Sequence, residues 1–123
     1  MSEESDMTKS NPNLVRLIEA LRKASHENAA PIWRDIADGL EKPSSRWAEV
    51  NLGELERLVE EGETVVIPGK LLGGGNITKA VTVASYRCSG EAKRKLEGAG
   101  GRAITLLDLI GSNPTGAEVR LMR

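Results

Sequence analysis

The chain has no phenylalanine, and its only aromatic side chains are Trp33, Trp47 and Tyr86. Its core must therefore be built from Leu, Val, Ile and Ala, and a run of aromatic platforms that reads single-stranded bases is excluded. There is one cysteine, Cys88, so no internal disulfide and no multi-cysteine metal site can form, which fits a reducing, cytosolic setting. No apolar run approaches the ~20 residues that span a bilayer. The first residues (Met1 to Asp6) are acidic and polar, and neither a signal nor a transit peptide is expected there.

Single chemistry-bearing residues carry little. His26 is the only histidine and stands where a helix is expected to end, an ordinary place for a polar group. Cys88 follows Arg87, a neighbour able to lower a thiol pKa, yet a small half-buried thiol is the simpler reading. Carboxylate pairs such as Glu60-Glu61 read as solvated faces. No catalytic residue, metal ligand or cofactor is expected.

What remains is globular: 123 residues, 39% hydrophobic and 28% charged, enough for one domain. Residues 1–10 lack apolar periodicity and are expected to form a disordered acidic tail, leaving 11–123 as a single domain. Asn11-Pro12 predicts a helix start, with Leu14, Leu17, Ile18 and Leu21 inside. Arg16, Arg22 and Lys23 are expected to face outward. A second helix is predicted from Ala30-Pro31, with Ile32, Trp33, Ile36, Ala37 and Leu40 as its apolar face and Pro43 as its stop. Trp47 to Val50 reads as a short extended piece, and Asn51 as the cap of a third helix burying Leu52, Leu55, Leu58 and Val59, with Gly62 as its stop.

The character changes after Gly62. Thr64–Ile67 and Ala80–Tyr86 read as strands, Ser89 as the cap of a helix, Arg102–Thr105 as a strand and Leu106–Ile110 as a short helix. Asn113-Pro114-Thr115-Gly116 reads as a turn before a last strand, Glu118–Met122. Helices followed by mixed short strands and helices define an α/β or α+β class.

Between the first two strands lies the segment of most interest. Pro68-Gly69 reads as a turn, followed by Lys70 and a loop containing Gly73, Gly74 and Gly75. Bare backbone beside a cation suits phosphate oxygens, on a nucleotide or on a nucleic acid. A P-loop does not fit: Gly62 is seven positions before Gly69, and Leu71 follows Lys70 where a hydroxyl is needed. Gly98-Ala99-Gly100-Gly101-Arg102-Ala103 matches the dinucleotide pattern, but between a helix and a strand rather than after a strand and before a helix. Charge favours the larger partner. Residues 1–63 hold 8 Lys/Arg and 14 Asp/Glu, a net of −6, and residues 64–123 hold 9 and 4, a net of +5. The candidate RNA contacts are Gly69, Lys70, Gly73, Gly74, Gly75 and Lys79 around the loop. Lys93, Arg94 and Lys95 on a helix, Lys42 and Arg46 in the connection, and Arg120 and Arg123 at the end complete the set.

Four segments carry a family resemblance: Ala48-Glu49-Val50-Asn51-Leu52-Gly53; Val66-Ile67-Pro68-Gly69-Lys70-Leu71-Leu72-Gly73; Val81-Thr82-Val83-Ala84 with Ser89 and Ala99-Gly100-Gly101; and Asn113-Pro114 with Gly116 ahead of Val119-Arg120. Over residues 11–123 the chain resembles the archaeal large-subunit ribosomal protein eighteen-e family, relatives of the C-terminal domain of bacterial large-subunit protein fifteen. The resemblance implies N-terminal helices followed by an irregular β-β-α superhelix. It also implies a non-catalytic, cytoplasmic role in the large ribosomal subunit. The partners it implies are ribosomal RNA and neighbouring ribosomal proteins, with no membrane and no small-molecule substrate. The slightly acidic balance departs from the basic composition usual in ribosomal proteins, and implies a negative half facing solvent or a cell with a salty interior. A small nucleotide-dependent enzyme using the glycine loop and a protein–protein adaptor are the competing readings.

Overall fold

The computed structural model describes residues 11–123; the expectation of a tail at 1–10 lies outside the described residues. Asn11 opens α1 (Pro12–Asn28), its side chain accepting the amides of Asn13 and Leu14 while Pro12 takes the first turn. Leu14, Leu17, Ile18, Leu21 and Ala24 form its buried stripe. Ala29 then turns left-handed, and two residues later Pro31 starts α2 (Pro31–Glu41), burying Trp33, Ile36, Ala37 and Leu40. Of the three outward cations expected on α1, Arg16 and Lys23 are exposed. Arg22 instead reaches across to Asp38 (3.0 Å) and Glu41 on α2, and those carboxylates raise its pKa above the usual arginine value.

A 3-10 turn (Ser44–Arg46) leads into β1 (Ala48–Asn51) and α3 (Leu52–Leu58). Then come β2 (Thr64–Leu72), β3 (Thr82–Cys88), α4 (Gly90–Gly98), β4 (Arg102–Thr105), α5 (Leu106–Ser112) and β5 (Val119–Leu121). All pairings are parallel, in the order β1-β2-β3-β4. β5 pairs with Thr64–Val66 and β1 with Gly69–Leu72, so the two lie end to end along one side of β2. The chain is thus α/β, with N-terminal helices ahead of short strands and helices, as expected. β2-β3-α4 is one β-β-α unit; β1-α3 and β4-α5 each contribute a single strand.

Both sheet faces are covered. α1, α2 and α5 pack with Val66 and Ala84 on one side. On the other, Val65, Ile67, Leu71 and Val83 meet Leu52 and Leu55 of α3 and Ala92 and Leu96 of α4. A strand buried on both faces reads as a continuous apolar run, which is why β2 shows little alternation. The two tryptophans act as fasteners. The Trp33 indole donates to the Pro114 carbonyl (2.7 Å), and that of Trp47 donates to Lys42 O (3.0 Å) at the end of α2.

Three expectations need correction. Pro68-Gly69 makes no turn: β2 runs straight through it, with a register shift between Ile67 and Lys70. Proline has no amide to give the ladder, and a bulge lets the strand pass. Pro68 is buried beside Gly39 of α2. β3 begins at Thr82 because Ala80 and Val81 belong to the return from β2; the Ala80 carbonyl accepts the Gly62 amide (2.8 Å). Leu58 is 56% exposed, since α3 ends there and Val59, 1% exposed, takes the core position.

Candidate nucleic-acid interface

The parallel β2–β3 link contains no helix. Residues 73–81 must return along the length of β2, and the glycines stand where that return presses on α3 and α4. Gly53 N donates to Gly74 O (2.9 Å) and Gly74 N to Asn51 Oδ1 (2.9 Å). A Cβ on Gly75, whose φ is +81°, would lie 2.9 Å from Gly53 Cα. Further along, the Glu56 carboxylate accepts the Thr78 amide (2.9 Å) and hydroxyl (2.7 Å), and Ile77 enters the core. The segment is a packed crossover rather than a free loop.

Several expected contacts are therefore internal. Gly69 is buried in β2, where a Cβ would collide with the Ala48 backbone; Gly73 is buried against Glu91. These two glycines serve close packing of the protein on itself, which corrects the expectation of bare backbone open to a phosphate. Gly74 and Gly75 remain exposed. Lys79 Nζ donates to Glu56 O and Val59 O, both at 2.7 Å, and so closes the C-terminal end of α3. Lys95 Nζ holds Gly73 O (2.9 Å) and Gly75 O (2.8 Å) and pairs with Glu91. Arg120 Nε bonds Glu63 Oε2 at 2.8 Å. Replacing Lys79 by methionine is expected to cost about 1–2 kcal/mol of stability in urea denaturation, because two carbonyls lose a charged donor.

The other cations face solvent. Lys42 from the end of α2, Arg46 from the 3-10 turn and Arg123 meet in one groove over Gly39 and Pro68, which Asp35 and Asp38 share. Lys93 and Arg94 are exposed on α4. None of these five cations has an ion pair among the described residues. Lys70 is half-buried, 3.7 Å from Glu49, and its register partner across the sheet is Arg87. Arg87, with Tyr86, Trp47 and Asn11, lines a second groove with Lys70; sequence reasoning missed this set, whose one local signal is the Tyr86-Arg87 pair at the end of β3. Pairs such as Lys70–Glu49 and Arg120–Glu63 join the acidic and basic halves of the sequence, which are therefore not separate in space.

Two carboxylates are tuned by these contacts. The Thr78 amide and hydroxyl hold Glu56 below the usual glutamate range, and Arg120 with the Glu60 amide does the same to Glu63. A lowered folded-state pKa contributes stability that is present above the unfolded value and lost as pH falls through the folded one. Melting temperature is thus expected to drop on acidification below the ordinary glutamate range, and less steeply in a Glu56→Gln/Glu63→Gln double variant.

The competing readings find little support. Burial pushes the Cys88 thiol up, away from the reactive range. Cys88 packs on the α3/α4 side of the sheet, whereas His26 lies on α1. Gly98 to Ala103 runs helix, turn, strand, the wrong order for a dinucleotide. The apolar helix faces are spent on the core, and Leu58 and Leu107 are the large apolar side chains exposed among the described residues. Nor is any described helix long and apolar enough to cross a membrane.

A parallel sheet wrapped by helices, with surface cations and no catalytic cluster among the described residues, defines a structural binding protein. Residues 28–104 match the family of ribosomal proteins described as 50S-L15, 50S-L18e and their 60S counterpart. The large ribosomal subunit protein eL18 of Halobacterium salinarum is 45% identical over 117 residues, covering 95% of this chain and all of that protein. Those of Archaeoglobus fulgidus and Haloarcula marismortui are 47% and 46% identical, over 94% and 95% of this chain and 99% and 100% of theirs. The chain belongs to this ribosomal protein family, whose members are structural proteins rather than enzymes.

Proposed function

We propose that this protein is a structural constituent of the archaeal large ribosomal subunit, in the cytoplasm, where it binds large-subunit ribosomal RNA and touches neighbouring ribosomal proteins. The observation that carries the reading is the full-length similarity to large-subunit proteins. The surface supports the RNA half of it: Lys42, Arg46 and Arg123 in one groove, Lys93 and Arg94 on α4, and Lys70 beside Arg87 offer cations to phosphates. The exposed tip at Gly74 and Gly75 adds backbone with no side chain in the way.

Phosphate contacts release counterions, so affinity falls with salt by about 0.9 in log–log slope for each duplex contact. Filter binding of the protein to large-subunit RNA is expected to show this dependence. A Lys42→Gln/Arg46→Gln/Arg123→Gln variant should flatten the slope by about 2–3. Lys70→Glu should weaken binding as well, whereas Lys79→Met should leave the slope alone. In gradient sedimentation of an extract the protein should travel with the large subunit and leave it only at high salt; recovery near the top of the gradient would end the reading.

A further inference from the structure

We propose that the groove between the start of α1 and the end of β3 receives one unstacked nucleotide of the bound RNA, its base on the Tyr86–Arg87 pair and its phosphate toward Lys70. This rests on the RNA-binding reading and names a site within it. The groove holds about 410 Å³ and is lined by Asn11, Leu14, Ser44, Trp47, Lys70, Tyr86 and Arg87. Two of the three aromatic residues in the whole chain meet here. Trp47 is buried and meets Tyr86 edge-on, with ring centroids 5.1 Å apart and planes at 82°. That contact, and the hydrogen bond from Asn11 Nδ2 to the Tyr86 hydroxyl (3.3 Å), fix the Tyr86 ring from two sides. The Arg87 guanidinium lies 5.4 Å from the ring centroid, exposed and with no carboxylate partner among the described residues.

A fixed phenol ring beside a planar, unpaired cation is what a splayed-out base stacks on. Lys70, 34% exposed and only 3.7 Å from Glu49, can exchange that carboxylate for a phosphate oxygen. The groove lining contains two cations and no acid, which favours a nucleotide over a basic peptide of a neighbouring protein. A lone stacking site does not require the aromatic series that this chain lacks, because it holds one base rather than a strand.

Stacking releases no counterions, so its loss and the loss of a phosphate contact differ in salt dependence. With the full chain and large-subunit RNA, Tyr86→Leu is expected to bind about tenfold more weakly at every salt concentration, with unchanged slope. Tyr86→Phe, which keeps the ring, should bind like the parent, and Lys70→Glu should change the slope. Parental binding by Tyr86→Leu, with Lys70→Glu still weakened, would remove the nucleotide site and leave RNA binding standing; parental binding by both, and by the triple groove variant, would remove RNA binding itself. Should Tyr86→Leu not fold, ultraviolet cross-linking of the parent complex gives the answer. A nucleotide adduct on the peptide containing Tyr86 supports the site. Adducts confined to other peptides, or cross-links from this groove to a neighbouring ribosomal protein in intact subunits, overturn it.

Discussion

Trp33→Ala is expected to remove about 3–5 kcal/mol of folding stability, a large part of the roughly 5–15 kcal/mol that holds a domain together. Trp33 is fully buried in the cluster that joins α1, α2 and the sheet, so truncation leaves a cavity that neighbours fill only in part. It also orphans the Pro114 carbonyl that the indole bonds at 2.7 Å, and with it the tie between α2 and the turn that leads to β5. Urea denaturation measures the total. Trp33→Phe separates the two parts, because it keeps most of the volume and loses the donor. A loss near 1 kcal/mol for Trp33→Ala, about the net worth of a single hydrogen bond, would mean that the core does not depend on this side chain.

Gly69→Val should be comparably damaging for a different reason. β1 pairs with β2 directly at Ala48 and Gly69, and a Cβ at Gly69 would stand 2.1 Å from the Ala48 carbonyl oxygen and 2.9 Å from its amide. Both neighbours are backbone, so neither can swing aside; β1 must shift or unpair. Overpacking of this kind costs about 1–3 kcal/mol, and more where backbone must move. The loss is expected at the top of that range, about 3 kcal/mol or more, with amide exchange accelerated first at the β1–β2 pairing. Gly111→Ala is the control. That glycine lies in α5 with nothing within 4 Å of an added Cβ, and alanine there should stabilise by about 0.5–1 kcal/mol. Equal effects at the two positions would refute the account of Gly69.

Gly69 also marks the point where sequence reading stopped being enough. A proline, a glycine and a lysine ahead of three further glycines have the local chemistry of a turn and a phosphate loop. The chain is instead extended there, because β1 and Gly39 of α2 close on it from elsewhere in the sequence. Lys79 and Lys95 show the same limit: whether an ammonium group meets solvent or three-dimensional neighbours depends on carbonyls some twenty residues away. The groove of Tyr86, Arg87 and Lys70 could not be seen at all from residue order, since it gathers side chains from α1, the approach to β1, β2 and β3.

Local order alone settled the helix starts at Asn11-Pro12 and Ala30-Pro31, the Ser89 cap, the Asn113 to Gly116 turn and the apolar faces of α1 and α2, because caps, prolines and helical spacing act within a few residues. The α/β class followed from the same short-range signals, and the four quoted segments carried the family. Tertiary packing decided which glycines are covered and which cations are spent on backbone carbonyls. It also decided which cations are left for a partner, because burial and ion pairing depend on chain segments brought together only when the sheet forms.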